Sequence, residues 1–222
     1  MAKPASNLYS PHPSIRMVRD WIDALPAKTG RSLPQWMAFI KKEGPATEEA
    51  RRRWLKEEHG LGTNAAGWLA ERSVGKATGD EEPAAYLRNC PKVVDAMYSG
   101  KKAALRPLHD ALVRLGLSTG EEAKVCPCGT IVPLFRNHVF AQIKPSTNSR
   151  IDLGLALGDT KAPARLIDTG GYAKRDRITH RIEITSMDDI DGDVKRWLKV
   201  AYDRDAEPRR GKKQAPDGDE RT

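Results

Sequence analysis

At Gly116 the spacing of apolar residues changes, and that change limits the architecture more than any single motif does. Upstream, apolar residues recur every three or four positions. Ile15, Val18, Ile22 and Leu25 form one such stripe, and Leu105, Leu108, Leu112 and Leu115 another. That is the period of an amphipathic helix. Downstream, apolar and polar residues alternate through Val125, 131–135, 139–143, 151–157 and 181–185, as half-buried strands require. These strands follow one another with no helical stretch between them, which predicts antiparallel pairing. The expected fold class is α+β: a small helical N-terminal module followed by an antiparallel sheet flanked by helices.

Punctuation residues divide the chain further. A first helix is expected over Ser14–Leu25, ended by Pro26 and Gly30. Ser32 is placed to cap a second helix and Thr47 a third, with Glu48 and Glu49 at the positive end of its dipole. A fourth begins near Thr63 or Asn64. Next come a helix over Ala84–Met97, broken by Pro91, and a longer one over Lys101–Leu115. The polar stretch from Asp159 to His180, with Gly170 and Gly171, is expected to be a long connection. Ser186–Asp189 has capping-box spacing and should open a last helix that buries Val194, Trp197, Leu198 and Ala201. The resulting layout is a flexible lead-in over 1–12, a helical module over 13–74, a linker over 75–83, an α+β domain over 84–204 and a disordered, apolar-poor tail over 205–222. No internal repeat is present.

Composition bounds the functional classes. No apolar run approaches the roughly 20 residues that span a bilayer. Met1–Ser6 contains no apolar segment of the kind that opens a secretory signal, so a cytoplasmic protein with no membrane partner is expected. Cys90, Cys126 and Cys128 are an odd set in which Cys126-Pro127-Cys128 lacks paired zinc-ligand spacing, so neither a disulfide framework nor a metal site is expected. No cofactor is expected. The formal charge is +8, and residues 1–78 carry 13 basic against 8 acidic side chains, so the helical module is the more basic part. An excess of positive charge favours polyanionic partners.

Two constellations could carry chemistry. The first is Gly60-Leu61-Gly62-Thr63-Asn64-Ala65-Ala66, lying between two helices with Arg51, Arg52, Arg53 and Lys56 upstream. Its pattern fits a helix-hairpin-helix, in which glycines let the backbone approach a phosphate and the next helix offers unpaired N–H groups. The same residues also fit a plain C-cap followed by a close helix crossing. The second is a set of basic residues around the last strand: Arg165, Arg175, Arg177, His180 and Arg181, with Lys174 nearby and Lys144 and Arg150 upstream. Strand alternation puts His180, Ile182 and Ile184 on one face and Arg181 and Glu183 on the other.

Other patterns read as structural. Asp188, Asp189, Asp191 and Asp193 lack the glycine and distal glutamate of a calcium loop and suit a helix N-terminus. Trp21, Trp36, Trp54, Trp68 and Trp197 sit among aliphatics at helical spacing, as core residues do. No nucleophile-elbow, phosphate-loop or zinc-protease motif is present, although Cys126 or Cys128 could meet His138 or His180 in space.

Thr29–Trp36, Trp54–Gly62 and Ala66 resemble a small bacterial domain family of unknown function, DUF4287. The stretch from about Gly100 to Arg204 resembles a second such family, DUF5655, through Phe140–Ile143, Asp152–Leu155, Ile178–Arg181 and Trp197–Tyr202. The latter is distantly similar to the YdhG-like group of compact α+β domains, sometimes likened to frataxin. The resemblance implies two modules and no particular reaction.

Two functions follow as expectations. One is a non-catalytic binding or accessory protein that touches nucleic acid or another polyanion through the helical module. The other is a domain that binds an anionic small molecule, or a protein partner, in a pocket on the C-terminal sheet. A catalytic role is the less expected outcome, and the sequence leaves the oligomeric state open.

Overall fold

The computed structural model describes residues 8–76, 82–161, 163 and 165–206. The expected lead-in through Asn7, the centre of the expected linker (77–81) and the expected tail from 207 onward lie outside these described residues. The chain forms two compact units. One is Pro11–Asn89. The other joins the residues up to Ser10 with those from Cys90 on. The division falls within a helix, at Asn89/Cys90, downstream of the segment expected to be a linker.

In the first unit, α1 spans Pro13–Thr29, α2 Leu33–Glu43, α3 Glu48–Glu57 and α4 Thr63–Ser73. Side chains start the helices where the sequence supplies them. The backbone N–H of Ser32 donates to Gln35 Oε1 at 2.7 Å, and Thr47 Oγ1 accepts from the Ala50 N–H at 3.2 Å. Helix α1 does not stop at Pro26 as expected. Thr29 Oγ1 donates to the Leu25 carbonyl at 2.7 Å and accepts from Trp36 Nε1 at 2.8 Å, which ties the last turn down despite the amide that Pro26 lacks. The helix ends at Gly30, whose φ of +74° suits a residue without Cβ. Leu25, Trp36, Ile40, Leu55, Ala66 and Leu69 form a buried core. Of the tryptophans in this unit, Trp36 belongs to the core, while Trp21, Trp54 and Trp68 pack against it half-buried.

Helix α5 (Pro83–Met97), in which the division falls, continues through Pro91. A 3₁₀ turn over Gly100–Leu105 then precedes α6, Arg106–Leu117. Pro107 sits in the first turn of α6, where a missing N–H costs nothing. The strands are β1 Lys124–Val125, β2 Val132–Phe135, β3 Val139–Pro145, β4 Ile151–Leu155, β5 Ile167–Asp168 and β6 His180–Ile184. Every pairing among them is antiparallel, in the order β1-β2-β3-β4-β6-β5. Helix α7, Gly192–Arg204, closes the unit. The architecture is therefore α+β, as expected.

Register fixes which side chains share a face. Leu134, Ala141, Leu155 and His180 lie in one row across four strands, and Val132, Ile143, Leu153 and Ile182 in the next. This face belongs to a core that includes Val94, Leu112, Val194 and Leu198 from α5, α6 and α7. The opposite face carries Lys144, Asp152 and Glu183 in one row and Gln142, Gly154 and Arg181 in another.

Three other expectations are corrected. The Asp159–His180 connection is not all loop, because Ile167 and Asp168 pair with β6 as an edge strand. The box at Ser186–Asp189 caps only a short 3₁₀ turn, and Asp191 caps α7 by accepting from the N–H groups of Asp193 and Val194. Part of the expected lead-in is anchored: the Ser10 N–H donates to the Val125 carbonyl at 2.8 Å, and Leu8 and Tyr9 pack on the core. Among the described residues, no helix is long and apolar enough to cross a membrane.

Candidate functional site

Beyond the C-terminal end of β4, the chain continues through Ala156 and Gly158. The turn that leads into β6 rises opposite. Between them and the end of α7 lies a cleft of about 620 Å³, bordered by Tyr172, Arg175, Asp176, Arg177, Arg204 and Asp205. Three guanidinium groups and two carboxylates thus share one concavity. The turn is tightly built. The Asp176 N–H donates to the Gly171 carbonyl at 2.8 Å, and the Arg175 N–H to the Tyr172 carbonyl at 3.1 Å. A Cβ at Gly171 would lie 2.3 Å from the Ile178 carbonyl oxygen, so only glycine allows this approach. Arg175 takes φ +61°, a left-handed conformation that costs a residue with a side chain roughly 1–2 kcal/mol.

Asp205 fixes one wall. Its carboxylate accepts from the N–H groups of Asn137 at 2.8 Å and His138 at 2.7 Å, meets His138 Nδ1 at 3.1 Å, and pairs with the Arg177 guanidinium. Arg177 is held a second time, by its Nε donating to the Val139 carbonyl at 2.8 Å. Arg204 reaches Asp159 at 3.8 Å and Thr160 Oγ1 at 3.3 Å. Among the described residues, the side chains of Arg175, Asp176 and Tyr172 form no hydrogen bond, ion pair or ring contact. Both of Asp205's oxygens are occupied by protein donors. The groups left to meet a ligand are therefore the Arg175 guanidinium, the Asp176 carboxylate and the Tyr172 ring.

Thr179 forms part of the inner wall. Its Oγ1 accepts from the Leu157 N–H at 3.2 Å and lies 2.9 Å from His180 Nδ1. His180 itself is buried on the core face, and its Nε2 has no hydrogen-bond partner. It lies behind the cleft wall.

Of the basic residues expected around the last strand, the structure brings Arg175 and Arg177 together in the cleft and leaves Arg165 and Arg181 out. Arg165 is spent on the start of α7, where it pairs with Asp191 and donates to the Asp189 carbonyl. Arg181 points to the opposite sheet face, bonded to Asp152 at 3.0 Å and Glu183 at 2.9 Å. In the helical unit, Arg51 donates to the Pro45 carbonyl at 2.7 Å and to Ser73 Oγ at 2.9 Å, and Arg52 pairs with Glu48 and Glu71. Both are structural ties. Arg53 and Lys56 are exposed. Gly60 has φ +64°, and the Leu61 N–H donates back to the Leu55 carbonyl at 3.1 Å, which closes the C-terminal end of α3. Gly62 is the N-cap of α4 and supplies no side-chain acceptor, while Thr63 and Asn64 are exposed in its first turn.

Tyr172, Asp176, Arg204 and Asp205 escaped sequence reasoning. An aromatic directly after Gly170-Gly171 in a polar stretch is a usable signal for Tyr172. Asp205 gave none, because it sits one residue past α7 beside a charged segment. The other candidate chemistry has structural explanations. Burial pushes the Cys126 thiol up to about 12 and raises that of Cys128, the reverse of what a thiolate nucleophile needs. Asp189 accepts from the N–H groups of Thr185 and Ser186 and from Thr185 Oγ1, which holds its carboxyl down at about 2. Among the described residues, no three His, Cys, Asp or Glu side chains are grouped to hold a metal.

Every residue of the cleft lies between 156 and 205, and a family model described as a domain of unknown function, DUF5655, matches residues 94–205. The chain belongs to the DUF5655 family. A second model, also described as a domain of unknown function, DUF4287, matches residues 18–71 of the helical unit. The DUF5655 match extends to Asp205, so the residue that fixes the cleft wall is part of the domain and not of the tail. No curated protein and no solved structure matches the chain.

Proposed function

We propose that the DUF5655 domain binds a small anionic ligand in the cleft between the 170–177 turn and the end of α7. The observation that carries this reading is Arg175: a guanidinium with no partner among the described residues, held at φ +61° on the rim of a cleft that also holds Arg177 and Arg204. Backbone strain persists where the surrounding structure imposes it, and such residues cluster at ligand sites. A guanidinium presents parallel donors that match phosphate or carboxylate oxygens. The cleft's volume falls within the roughly 300–1,000 Å³ of small-molecule sites. The Thr179 hydroxyl beside His180 is buried and already accepts from the Leu157 N–H, so the reading is one of binding.

Thermal melting of the full chain tests it, with inorganic phosphate, pyrophosphate and citrate added against sodium chloride of equal ionic strength. Binding at one hundred times Kd should stabilise by about 2.7 kcal/mol, and Arg175→Ala should remove the shift. If none of the three anions raises the melting temperature above the chloride control, the reading is wrong.

A second reading is contact with nucleic acid through α3 and α4. One observation favours it: the first N–H groups of α4 are exposed behind a glycine cap, with Arg53 and Lys56 exposed on α3. It is the weaker of the two, because Arg51 and Arg52 are already consumed by internal partners. It expects salt-sensitive DNA binding that falls with Arg53→Glu and Lys56→Glu. A flat titration at low salt removes it.

A further inference from the structure

We infer that the ligand class of this cleft is a nucleoside monophosphate, an inference that rests on the anion-binding reading above and narrows it. Besides positive charge, the cleft offers two groups that a bare anion does not use. One is Tyr172, 58% exposed and without a stacking partner among the described residues. A large aromatic ring normally buries its faces or finds a neighbour. This one is displayed at the rim of a charged concavity by a turn whose geometry is locked at Gly171. The other is Asp176, an exposed carboxylate with no donor among the described residues. The remaining acid of the cleft, Asp205, is fully engaged by Asn137, His138 and Arg177, so it neither repels an incoming anion strongly nor accepts from it.

The three unoccupied groups define a complementary molecule. It carries an anionic group for Arg175, with Arg177 and Arg204 beside it. It carries a flat ring to stack on Tyr172, which every nucleobase provides. It carries an O–H or N–H donor for Asp176, as a ribose hydroxyl or an exocyclic amine does. A dicarboxylate satisfies only the first requirement, and a nucleoside only the other two. One mononucleotide also matches a cleft of about 620 Å³.

Isothermal titration of the full chain with four probes tests this: adenosine monophosphate, cytidine monophosphate, adenosine and pyrophosphate. The nucleotides are expected to bind at least tenfold more tightly than pyrophosphate. Tyr172→Ala should lower nucleotide affinity by roughly tenfold, the typical effect of losing one stacked base, while leaving pyrophosphate binding unchanged. Arg175→Ala should weaken nucleotides and pyrophosphate together. Tyr172 is exposed, so its truncation leaves the fold intact, and a melting curve checks this. If pyrophosphate binds as tightly as the nucleotides, or if Tyr172→Ala weakens both equally, the nucleotide class is wrong and the anion cleft stands. If none of the probes binds, the nucleotide class and the anion-binding reading fall together.

Discussion

Asp205 holds His138 at two points: its carboxylate accepts from the His138 backbone N–H at 2.7 Å and meets the ring Nδ1 at 3.1 Å. The same group takes the Asn137 N–H and the Arg177 guanidinium, so one side chain joins the end of α7 to the β2–β3 turn and to the cleft wall. Its side chain is only 1% exposed. Removing it would leave the part-buried Asn137 and His138 amides without their acceptor and Arg177 with only the Val139 carbonyl. Asp205→Ala should therefore cost about 3 kcal/mol of stability in urea denaturation and weaken anion binding, because Arg177 loses one of its two anchors. Retention of full stability would show that these bonds are replaced by water at little cost.

His109 should make stability fall in mild acid. It is fully buried in α6 beside Tyr98, with ring centroids 4.6 Å apart, and neither nitrogen has a partner. Burial lowers its pKa to about 4, with Asp110 opposing and Arg106 assisting. The unfolded chain takes up this proton near pH 6.5, whereas the folded chain does so only near pH 4. Stability should therefore decline as pH falls from about 6.5 to 4, by roughly 3 kcal/mol at most, and level off below. Urea midpoints followed by circular dichroism at pH 7, 5.5 and 4.5 measure this. His109→Phe should flatten that part of the profile, and an unchanged slope would exclude His109 as its source.

Arg175 should show stability and binding in opposition. Arg175→Gly removes the side chain from a left-handed residue and should raise stability by about 1 kcal/mol. It also deletes the cleft guanidinium that has no bond to any described residue, so pyrophosphate binding should be lost. A variant that is both less stable and still binds would contradict the strain argument.

Gly171→Ala tests the turn itself. The added Cβ would sit 2.3 Å from a backbone oxygen, which no side-chain rotation can relieve. The turn must shift, at a cost of roughly 1–3 kcal/mol, and Tyr172 and Arg175 move with it. Ligand affinity should fall along with stability. Wild-type affinity in this variant would mean that the turn does not shape the site.

In the helical unit, structural and exposed arginines separate cleanly. Arg51→Ala removes bonds to the Pro45 carbonyl and to Ser73 and should cost roughly 1.5–3 kcal/mol. Arg53→Glu and Lys56→Glu should leave stability within about 0.5 kcal/mol of wild type. Tryptophan fluorescence in denaturant reads this, since Trp21, Trp36, Trp54 and Trp68 all lie in this unit. Only the exposed pair can then report on nucleic acid without confounding by unfolding.

Local rules made most of the elements legible. Alternation alone put His180 on the core face and Arg181 on the other, because side chains on a strand have no third choice. Caps at Ser32 and Thr47 follow from side chains that reach their own backbone. The helix through Pro26 was not legible, because the bonds from Thr29 that sustain it depend on a partner in the next helix. The edge strand Ile167–Asp168 was not either, because two residues carry no period and pair only when β6 is beside them.

The sequence by itself determined that helices give way to an antiparallel sheet after Gly116 and that His180, Ile182 and Ile184 turn inward, since burial of apolar area enforces both through short-range spacing. Tertiary structure alone decided which charges remain free for a ligand. Arg51, Arg165, Arg175, Arg177 and Arg181 look alike along the chain, yet four of them are spent on carbonyls and carboxylates distant in sequence. Arg175 is left with none among the described residues, because an arginine's role depends on which acceptors the fold brings within hydrogen-bond reach, and spacing along the chain does not encode that distance.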